Sequence, residues 1–555
     1  MSAAGTPAPS AAGRARLRGV IFAGLAVLIA FVWFDALATR PLFAPDEGRY
    51  AEIPREMLQT GDWVIPHLDG LPYIEKPPLQ YWATALSFRM FGLSELSARL
   101  YTALTAFATL IVVWLLARRL WNPQAAWRAA AVLASLSLFA AVGELLSLDM
   151  SLTFYMTLSL AAFLWAQCRP QGGGRAMLIA WAAAGAGVLT KGLVAAAIPA
   201  AVLILYSLLM RDWSVWRRLR FGAGLGLFLL ITVPWHWLAA RRLPDFLQFY
   251  FIHEHLQRYL TTAADRVEPW WFFAAVFCAG TLPWTFSGLR VLVGGWRRRA
   301  AHGAFEPRVF LWIWIVFVLV FFSLSDSKLI PYALPALPAL ALLIGALPAA
   351  VLRRDVLAAA AVALAAALIC LLAGVQLPHW LAGSNRAPYF LPLAQPLPLI
   401  AAVLSICAAY VFVKRNREPT GSAVFLSAGW CVAVLLLIRA ATVVGPLYSG
   451  RSLAALLPDG GRGLPIYTIA TYDQTLPFYW RRTLRLVAYR GELDYGLRHT
   501  PGAEIATIPA FLARWSATTL AYAVMEIDMY DELRARGVPM RELGRDAHRV
   551  LVARR

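Results

Sequence analysis

The sequence predicts a polytopic α-helical membrane protein with a small α/β domain at its C-terminal end. Hydrophobic residues make up 60% of the 555 residues and charged residues only 15%, and the mean hydropathy is +0.61. This composition is typical of membrane proteins. Thirteen apolar runs alternate with polar connections, and from about residue 445 the apolar runs shorten to strand length.

The basic residues are dispersed between the apolar runs. Lys and Arg number 51 against 31 Asp and Glu, which gives a net charge of +20. Dispersed cations of this kind indicate membrane topology and contacts with anionic membrane lipids, and they predict no nucleic-acid partner. The five cysteines lie in or at the end of apolar runs without metal-type spacing, so no disulfide or zinc framework is predicted.

The apolar runs predict about thirteen transmembrane helices, because a helix needs roughly 20 apolar residues to cross a bilayer core of about 30 Å. The runs near residues 182 and 202 are also consistent with one broken segment. The first run resembles a signal peptide at Ala36-Leu37-Ala38, but its length favours a membrane anchor. The runs centre near residues 28, 107, 136, 158, 182, 202, 230, 279, 317, 341, 366, 404 and 432.

Arginine-rich connections predict the orientation of the chain. The N-terminus and every second connection carry arginines, which the positive-inside rule assigns to the cytoplasm. An odd number of spans then places the C-terminal end on the opposite side. The acids and histidines lie in the other connections, so they can converge on the non-cytoplasmic face; these residues are Asp46, Glu47, Glu75, Asp149, Lys191, His253, Glu254, His255, Asp326 and Lys328.

The first outer connection, residues 40–96, is too long for a turn. The segments AEIPREMLQ and PPLQYWATALSFRMFG predict helices that lie at the membrane interface, and GDWVIPHLDGLPYIEKPP between them has the Gly and Pro residues of turns. At its start, FAPDEGRYAEIPRE gathers six ionic residues within eleven positions. We expect ordinary solvent-exposed loop charges at Glu52, Glu56, Asp62 and Asp69.

Asp149 and Lys191 differ from these loop charges because each lies at the boundary of an apolar run. A charge in such a place is costly unless it is paired or faces a wet cavity. A functional role and a helix-end role both fit this position.

The final part of the chain, residues 445–555, predicts a separate α/β domain beside a transmembrane domain of residues 1–444. Four strand-like runs alternate with helical or turn-rich pieces: PIYTIATY, LRLVAYR, TTLAYAVMEI and HRVLVARR. The chain has no Gly-rich phosphate loop, no G-x-S-x-G and no internal repeat. Its sequence therefore argues against an ATP-driven machine.

The first outer connection carries a family resemblance. An Asp-Glu pair just after the first span, followed by GRYAEIPREMLQTGDWVIPHLDGLPYIEKPPLQYW, resembles the lipid-carrier-dependent glycosyltransferases of the GT-C class. Within this class the chain looks most like the bacterial 4-amino-4-deoxy-L-arabinose transferases of lipid A, and more distantly like protein O-mannosyltransferases. The resemblance covers most of the chain, including the C-terminal domain.

The resemblance implies an inverting pentosyltransferase of the bacterial inner membrane. Such an enzyme transfers aminoarabinose from undecaprenyl phosphate to lipid A phosphates at the periplasmic face, which gives cationic lipid A and polymyxin resistance. The family likeness further implies a monomer with a cytoplasmic N-terminus and a periplasmic C-terminal domain. Undecaprenyl phosphate-linked aminoarabinose, lipid A and membrane lipids are the implied partners.

The resemblance also implies catalytic roles for carboxylates of the outer connections. Asp46 matches the catalytic aspartate of the family, Glu47 is its neighbour and would orient it or a ligand, and Asp149 is grouped with them. A carboxylate beside the anomeric carbon stabilises a transition state of oxocarbenium character. A phosphate acceptor is already anionic, so only a hydroxyl acceptor would make Asp46 a general base.

The donor phosphate needs cations and hydrogen-bond donors on the same face. For Lys76, in YIEKPP, an interfacial snorkelling role is the alternative. The candidates for phosphate binding are Arg49, Lys76, Lys191, Lys328, Tyr73 and Tyr332.

This chemistry requires no cofactor, and a divalent metal ion such as Zn²⁺ remains an open alternative. His253 and His255 are two residues apart in FIHEHLQRYL, a spacing that does not aim both at one ion on a helix. One of them with Glu75 would form a metal site by tertiary contact and order the loops. Ordinary polar surface is the other interpretation of the two histidines.

Two rival functions remain open on the sequence. The first is glycosyl transfer to protein hydroxyls or to a different glycolipid by the same fold. The second is transport of a lipid-linked sugar, for which ionic residues are expected near mid-membrane between inverted repeats. The ionic residues of this chain gather instead on one face.

Overall fold

The computed structural model describes residues 24, 27, 29–168, 173–257, 268–296, 305–384, 386–457, 461 and 463–554, without the side chains of residues 255–257. A helical bundle occupies most of this length and a six-stranded sheet follows it. Helix α1, Ile29–Thr39, precedes the first long connection. That connection folds into α2, Asp46–Thr60, and α3, Leu79–Phe91, where the sequence predicts its two helices.

Local sequence explains how α2 begins and ends. Asp46 and Glu47 occupy its first turn, where carboxylates interact favourably with the helix dipole. Gly61 ends the helix with a φ of 73° and donates its N–H to the Met57 carbonyl, a left-handed cap that glycine adopts easily.

A short antiparallel hairpin follows α2. Strands β1, His67–Leu68, and β2, Leu71–Pro72, are joined by Asp69 and Gly70, whose φ angles are 56° and 75°. Asp-Gly is a favoured pair for a two-residue turn with both φ angles positive. The turn therefore explains the compact path between α2 and α3.

The remaining helices form the bundle. They are α4 Glu95–Leu120, α5 Pro123–Ser135, α6 Ser137–Gly143, α7 Leu148–Gln167, α8 Gly174–Lys191, α9 Val194–Met210, α10 Ser214–Arg217, α11 Phe221–Arg242, a π-helix at Gln248–Gln257, α12 Phe272–Gly280, α13 Thr285–Gly294, α14 Pro307–Ser323, a 3-10 helix at Ile330–Ala336, α15 Leu337–Gly345, α16 Ala349–Trp380, α17 Ala387–Phe390, a 3-10 turn at Leu391–Ala394, α18 Leu397–Val413, α19 Pro419–Ala440, a 3-10 turn at Ala441–Val444, α20 Gly445–Tyr448 and α21 Arg451–Ala454.

Six of the described helical segments are long and apolar enough to cross a membrane, or seven if the pair α5 and α6, bent by 67°, counts as one span. Each predicted centre from 107 onward falls on a helical segment or on the break between two, while residue 28 lies outside the described residues. Several predicted spans are short or interrupted, as where Pro283 separates α12 from α13. Proline explains this break because it removes a helical hydrogen bond. The count of thirteen transmembrane helices stays a prediction.

The runs near residues 182 and 202 form two helices. Gly192, between α8 and α9, has a φ of 97°, a conformation that glycine adopts readily and that stops the first helix. The break between the two helices also agrees with the alternative of one broken segment, so the number of spans here stays a prediction.

The C-terminal part folds into a mixed sheet. Its strands are β3 Ile466–Ile469, β4 Arg485–Val487, β5 Glu504–Ile505, β6 Tyr522–Glu526, β7 Arg541–Arg545 and β8 Arg549–Ala553, and its helices are α22 Thr475–Trp480, α23 Asp494–His499, α24 Ile508–Ala517 and α25 Ile527–Ala535, with a 3-10 turn at Gly491–Leu493. The strand order is β5-β4-β3-β6-β8-β7. Strands β5, β4, β3 and β6 run parallel, and β8 pairs antiparallel with β6 and β7.

The two faces of this sheet are covered differently. Tyr467 and Val487 pack on one face with Phe511 and Trp515 of α24. Ile466, Leu486, Val524 and Leu551 belong to a second cluster that includes Ile53 and Met57 of α2. The sheet domain therefore packs directly on the first long connection.

This packing overturns the expectation of solvated charges for three residues of the connection. Glu52, Glu56 and Asp69 are buried, because the C-terminal domain covers them. Asp69 accepts a hydrogen bond from the Leu484 amide at 2.6 Å, and Glu52 accepts two from Arg55 at 2.6 and 2.5 Å.

Gly48 allows the closest approach between α2 and the C-terminal domain. A Cβ atom at this position would lie 2.6 Å from the backbone carbon of Gln474. We expect Gly48→Ala to lower the free energy of unfolding by about 1–3 kcal/mol, because backbone atoms at this distance must move. Thermal unfolding of the purified chain, with limited proteolysis of the C-terminal domain, measures the effect.

Gly222→Ala is the matched control. Gly222 lies in α11 with no atom within 4 Å of its added Cβ, so alanine there is expected to leave stability unchanged or raise it by up to about 1 kcal/mol. Equal behaviour of the two variants would contradict the proposed contact.

Candidate active site

Glu47 is the most heavily bonded carboxylate of the first connection. Arg40 donates to it at 2.6 and 2.9 Å, and Arg99 donates at 2.8 and 2.9 Å. The backbone amides of Phe43 and Leu146 add two hydrogen bonds at 3.0 Å. Each carboxylate oxygen thus accepts three hydrogen bonds.

These bonds decide the role of Glu47. Its side chain is only 4% exposed. Burial by itself would raise its pKa, but the charges and hydrogen bonds of Arg40 and Arg99 outweigh burial and hold the pKa of Glu47 far below its ordinary value. Because both oxygens are fully bonded within the protein, Glu47 fixes the loop, which fits the predicted role of orienting Asp46; a catalytic role for Glu47 stays a prediction.

Arg99 also ties the loop to the end of α1. It donates to the backbone carbonyls of Leu37 at 2.8 Å, Arg40 at 2.6 Å and Pro41 at 2.8 Å. Carbonyl groups at a helix C-terminus lack partners within the helix. Arg99 supplies those partners and so sets the direction in which the chain leaves α1.

Asp46 has the opposite environment to its neighbour. Its side chain is 55% exposed, and Arg49 donates to its Oδ1 at 3.0 Å. Arg49 in turn forms an ion pair with Glu492 of the C-terminal domain. A free carboxylate oxygen is therefore presented at the surface of the loop by a rigid backbone.

Two of the predicted catalytic acids, Asp46 and Asp149, act on Tyr50 together with Glu75, a predicted metal ligand. Burial raises the pKa of the Tyr50 hydroxyl; Asp46, Asp149 and Glu75 raise it further, whereas Arg49 lowers it. Carboxylates from three separate segments therefore act on one side chain, as expected for residues that share one face of the bundle.

A cavity of about 340 Å³ adjoins this cluster. Lys76, Lys191 and Tyr332 line it together with Asp149 and Glu254. Its size falls at the lower end of the range for small-molecule sites. Its remaining wall is largely apolar and includes Leu193, Val194, Phe251, Phe321 and Phe322.

The two lysines of the cavity are each paired with a carboxylate. Lys76 contacts Glu254 at 2.9 Å and donates to the Glu75 carbonyl at 2.9 Å. Lys191 forms an ion pair with Asp149, and its Nζ lies 4.8 Å from the centre of the Tyr332 ring. Asp149 and Lys191 are therefore partners at one end of α7 and α8, which explains how the two charges are accommodated.

The other phosphate-binding predictions have different surroundings. Arg49 is already bonded to Asp46 and Glu492, and its guanidinium lies 5.8 Å from the Tyr73 ring, so its charge is compensated within the protein. Tyr73 and Lys328 are buried and are not among the residues that line the cavity. The geometry supports Lys76, Lys191 and Tyr332 more directly than these three.

The metal prediction is only partly within the described structure. His253 is 55% exposed and its Nδ1 lies 3.4 Å from Glu254, while the side chain of His255 lies outside the described residues. Within the described part of the chain, no group of three His, Cys, Asp or Glu side chains could hold an ion. The site of Glu75, His253 and His255 therefore stays a prediction.

Arg40 and Arg99 were not predicted from the sequence as partners of Glu47, nor was Glu492 as a partner of Arg49. A signal for Arg99 was its isolation near the start of a long apolar helix, where a charge needs a partner. No sequence signal singled out Glu492, because its role depends on the docking of the C-terminal domain.

Known proteins share both parts of this architecture. Residues 453–554 match the family model for the aminoarabinose transferase C-terminal domain, and residues 21–250 match that for dolichyl-phosphate-mannose-protein mannosyltransferase. The undecaprenyl phosphate-alpha-4-amino-4-deoxy-L-arabinose arabinosyl transferase of Pseudomonas paraeruginosa is 33% identical over 505 residues, which cover 88% of this chain and 89% of that protein. The chain belongs to this arabinosyl transferase family.

Solved structures agree with the family. The crystal structure of ArnT from Cupriavidus metallidurans bound to undecaprenyl phosphate has a TM-score of 0.87 and 32% identity, and the match covers 98% of each chain. The archaeal oligosaccharyltransferase AglB from Archaeoglobus fulgidus shares the fold with a TM-score of 0.54 at 14% identity, covering 92% of this chain and 70% of that one. The predictions of a glycosyltransferase, of a GT-C membrane fold and of a multi-pass membrane protein are confirmed.

Glu144 lies beside the Glu47 cluster. Its backbone carbonyl accepts a hydrogen bond from Arg40 at 2.8 Å, but neither side-chain oxygen has a partner among the described residues. Burial raises the pKa of Glu144 to about 8, against the lowering effect of Arg40 and Arg99 and with a further increase from Glu47. Glu144 is therefore mostly protonated at neutral pH.

The pKa of Glu144 predicts a pH-dependent stability. Between the unfolded pKa of about 4.3 and the folded value, the folded state holds a proton that the unfolded state releases, so stability falls as pH rises through this window. Glu144→Gln removes this titration. We expect the slope of unfolding free energy against pH to become less negative by up to about 1.4 kcal/mol per pH unit, measured by chemical denaturation between about pH 5 and pH 8. Replacement of the exposed Glu526 by Gln is the control, and an unchanged slope in Glu144→Gln would contradict the assignment.

Proposed function

We propose that the chain transfers 4-amino-4-deoxy-L-arabinose from undecaprenyl phosphate to a phosphate group of lipid A. The observation that carries the proposal is a cavity with paired cations and an apolar wall, in a chain that matches arabinosyl transferases over most of its length. The exposed carboxylate of Asp46 and the cavity residue Asp149 both act on Tyr50. The predicted products are undecaprenyl phosphate and a cationic lipid A.

The cavity supplies the groups that the donor requires. Lys76 and Lys191 would hold the carrier phosphate as it leaves, and Tyr332 would donate a hydrogen bond to it. The apolar wall, which includes Phe251 and Phe322, would contact the first isoprene units. The bond from the anomeric carbon to the carrier phosphate breaks as the acceptor oxygen forms a new bond on the opposite face of the sugar.

Asp46 would act on the positive charge that develops at the sugar. Its exposed oxygen can approach the anomeric carbon or the amino group, and stabilises the oxocarbenium-like transition state electrostatically. A lipid A phosphate oxygen is already anionic, so the proposed reaction has no need of a general base.

The proposed orientation places this site at the periplasmic face of the inner membrane. Thirteen spans, a cytoplasmic N-terminus and a periplasmic C-terminal domain are consistent with the distribution of arginines, and the enzyme would act as a monomer. The cationic lipid A that it makes would weaken the binding of polymyxin. A divalent ion held by Glu75 with His253 or His255 would order the loops without taking part in the transfer.

A hydroxyl acceptor is the second candidate. The match of residues 21–250 to the mannosyltransferase model favours it, and Asp46 would then serve as the base. Supplying wild-type membranes with lipid A and with hydroxyl acceptors in parallel distinguishes the two reactions.

Replacement of Asp46 tests the proposed function. We expect Asp46→Asn and Asp46→Ala to lower transfer by at least about 100-fold, because an electrostatic contribution to the transition state is lost. Lipid A mass spectra from cells that lack the endogenous enzyme give the readout at matched expression. An unmodified lipid A in the wild-type sample with donor supplied would refute the substrate assignment, and full activity of both variants would refute the role of Asp46.

Glu47→Gln, at the neighbouring residue, is the matched comparison for Asp46→Asn. It removes the charge between Arg40 and Arg99 while leaving Asp46 in place, and the loss of one partner from a buried ionic cluster costs about 3–5 kcal/mol of stability. We expect Glu47→Gln to unfold at a lower temperature than the wild type, whereas Asp46→Asn is expected to keep the wild-type midpoint of thermal unfolding. A folded but inactive Glu47→Gln would indicate direct participation in catalysis.

Glu492 is proposed as a positioning residue that the C-terminal domain supplies. Its loss removes one ion pair of Arg49 and leaves the ion pair with Asp46, which strengthens the neutralisation of Asp46. We expect Glu492→Gln to lower kcat by roughly tenfold, a loss of about 1.4 kcal/mol of transition-state stabilisation, with an unchanged KM for the acceptor.

The control for Glu492 is Glu504→Gln, which breaks the ion pair with Arg490 in the same domain. This control is expected to keep wild-type kcat, and Glu492→Asp is expected to recover activity in part. Equal losses in Glu492→Gln and Glu504→Gln would indicate a general effect on the domain.

A further inference from the structure

A second large groove lies at the opposite end of the bundle from the catalytic cavity. Its volume is about 790 Å³. It is formed by the last turns of α4 and α7 and the first turns of α8, with Leu115, Leu158, Ala162 and Ile179 on its apolar wall. Asp149 and Lys191 stand at the other ends of the same α7 and α8, so the groove and the catalytic cavity are separate.

Two arginines give the groove its charge. Arg175 lies in the first turn of α8, and Arg220 immediately precedes α11; both are exposed and both line the groove. No Asp or Glu is among the described lining residues, and no described ion pair involves either arginine. The groove therefore combines an apolar wall with uncompensated positive charge.

Gly174 leaves room for Arg220 in its present position. A Cβ atom on Gly174 would collide with the Arg220 guanidinium, so the absence of a side chain lets the cation lie against the start of α8. The first turn of a helix presents backbone N–H groups and a partial positive charge, which adds to the charge of the two arginines.

Trp165 indicates where this end of the bundle lies relative to the membrane. It lines the groove, and the guanidinium of Arg119 lies 5.9 Å from its ring centre. Tryptophan and arginine together are characteristic of the headgroup region of a membrane. The apolar wall then continues from the headgroup level toward the hydrocarbon.

We propose that this groove binds one anionic glycerophospholipid of the leaflet opposite the catalytic site. Its phosphate contacts Arg175 and Arg220, and an acyl chain lies along the apolar wall. Charge complementarity selects an anionic headgroup over a zwitterionic one. The choice of leaflet rests on the orientation given with the proposed function, but the binding itself does not require that function.

Native mass spectrometry of the purified full-length chain tests the site. Phosphatidylglycerol and phosphatidylcholine with identical acyl chains are titrated separately, and inorganic phosphate serves as a competitor. Each arginine near an anionic headgroup contributes roughly fivefold in affinity, so with two arginines the wild type is expected to prefer phosphatidylglycerol by about 25-fold. Inorganic phosphate is expected not to displace it, because the acyl chain supplies much of the binding.

The paired variant Arg175→Gln with Arg220→Gln is expected to lose this preference. The matched control, Arg118→Gln with Arg354→Gln, removes the same charge from two exposed arginines that do not line the groove and is expected to keep it. Should the paired variant fail to fold, Ile179→Trp fills the groove from an exposed position without a change of charge, and is expected to exclude both lipids. Four results would each overturn the proposal. Two concern the variants: equal losses in the paired variant and its control, or unchanged binding in Ile179→Trp. Two concern the wild type: displacement of the lipid by inorganic phosphate alone, or the absence of any preference between the two lipids.

Discussion

The arrangement of the site depends on the carboxylate of Glu47 held between Arg40 and Arg99. A buried ionic cluster is not in itself a large source of stability, because desolvation offsets most of the attraction. Its effect here is geometric: it joins the end of α1 to the starts of α2 and α4, and the Leu146 amide brings in the segment before α7. Successive residues of a helix point about 100° apart. Fixing Glu47 inward therefore directs the Asp46 side chain outward, where it is exposed.

The C-terminal domain provides the second constraint on the same helix. It covers α2 through Gly48 and buries Glu52 and Asp69, and it supplies Glu492 to Arg49. Helix α2 is thus fixed by the bundle at its first turn and by the sheet domain along its length. Asp46 lies where the two constraints meet, which gives an exposed side chain a fixed backbone. This arrangement gives the sheet domain a direct structural connection to the site, although none of its described residues lines the cavity.

The sequence predicts the features that depend on local pattern. Apolar runs locate the helices of the bundle, and four alternating segments locate β3, β4, β6 and β8. The polar edge strand β7 and the two-residue β5 have no such pattern and were missed. Asp149 and Lys191 were singled out because charges at apolar boundaries need partners, and they are partners of each other. Burial of Glu52, Glu56 and Asp69, and the pairing of Arg49 with Glu492, could not be predicted, since they arise from the docking of a domain more than 400 positions away in sequence.

The charges of the cavity bear on the choice of donor. Two lysines and two carboxylates line it, and each lysine contacts one of the carboxylates. A phosphate that takes over Lys191 leaves the largely buried carboxylate of Asp149 without this cation, and such a charge is costly without a partner. A donor that carries a protonated amino group as well as a phosphate replaces both partners at once, because its cation can pair with the released carboxylate. A donor whose sugar carries no charge brings no cation to pair with the released carboxylate. The paired cavity therefore favours an amino sugar on electrostatic grounds, independently of the family relationship.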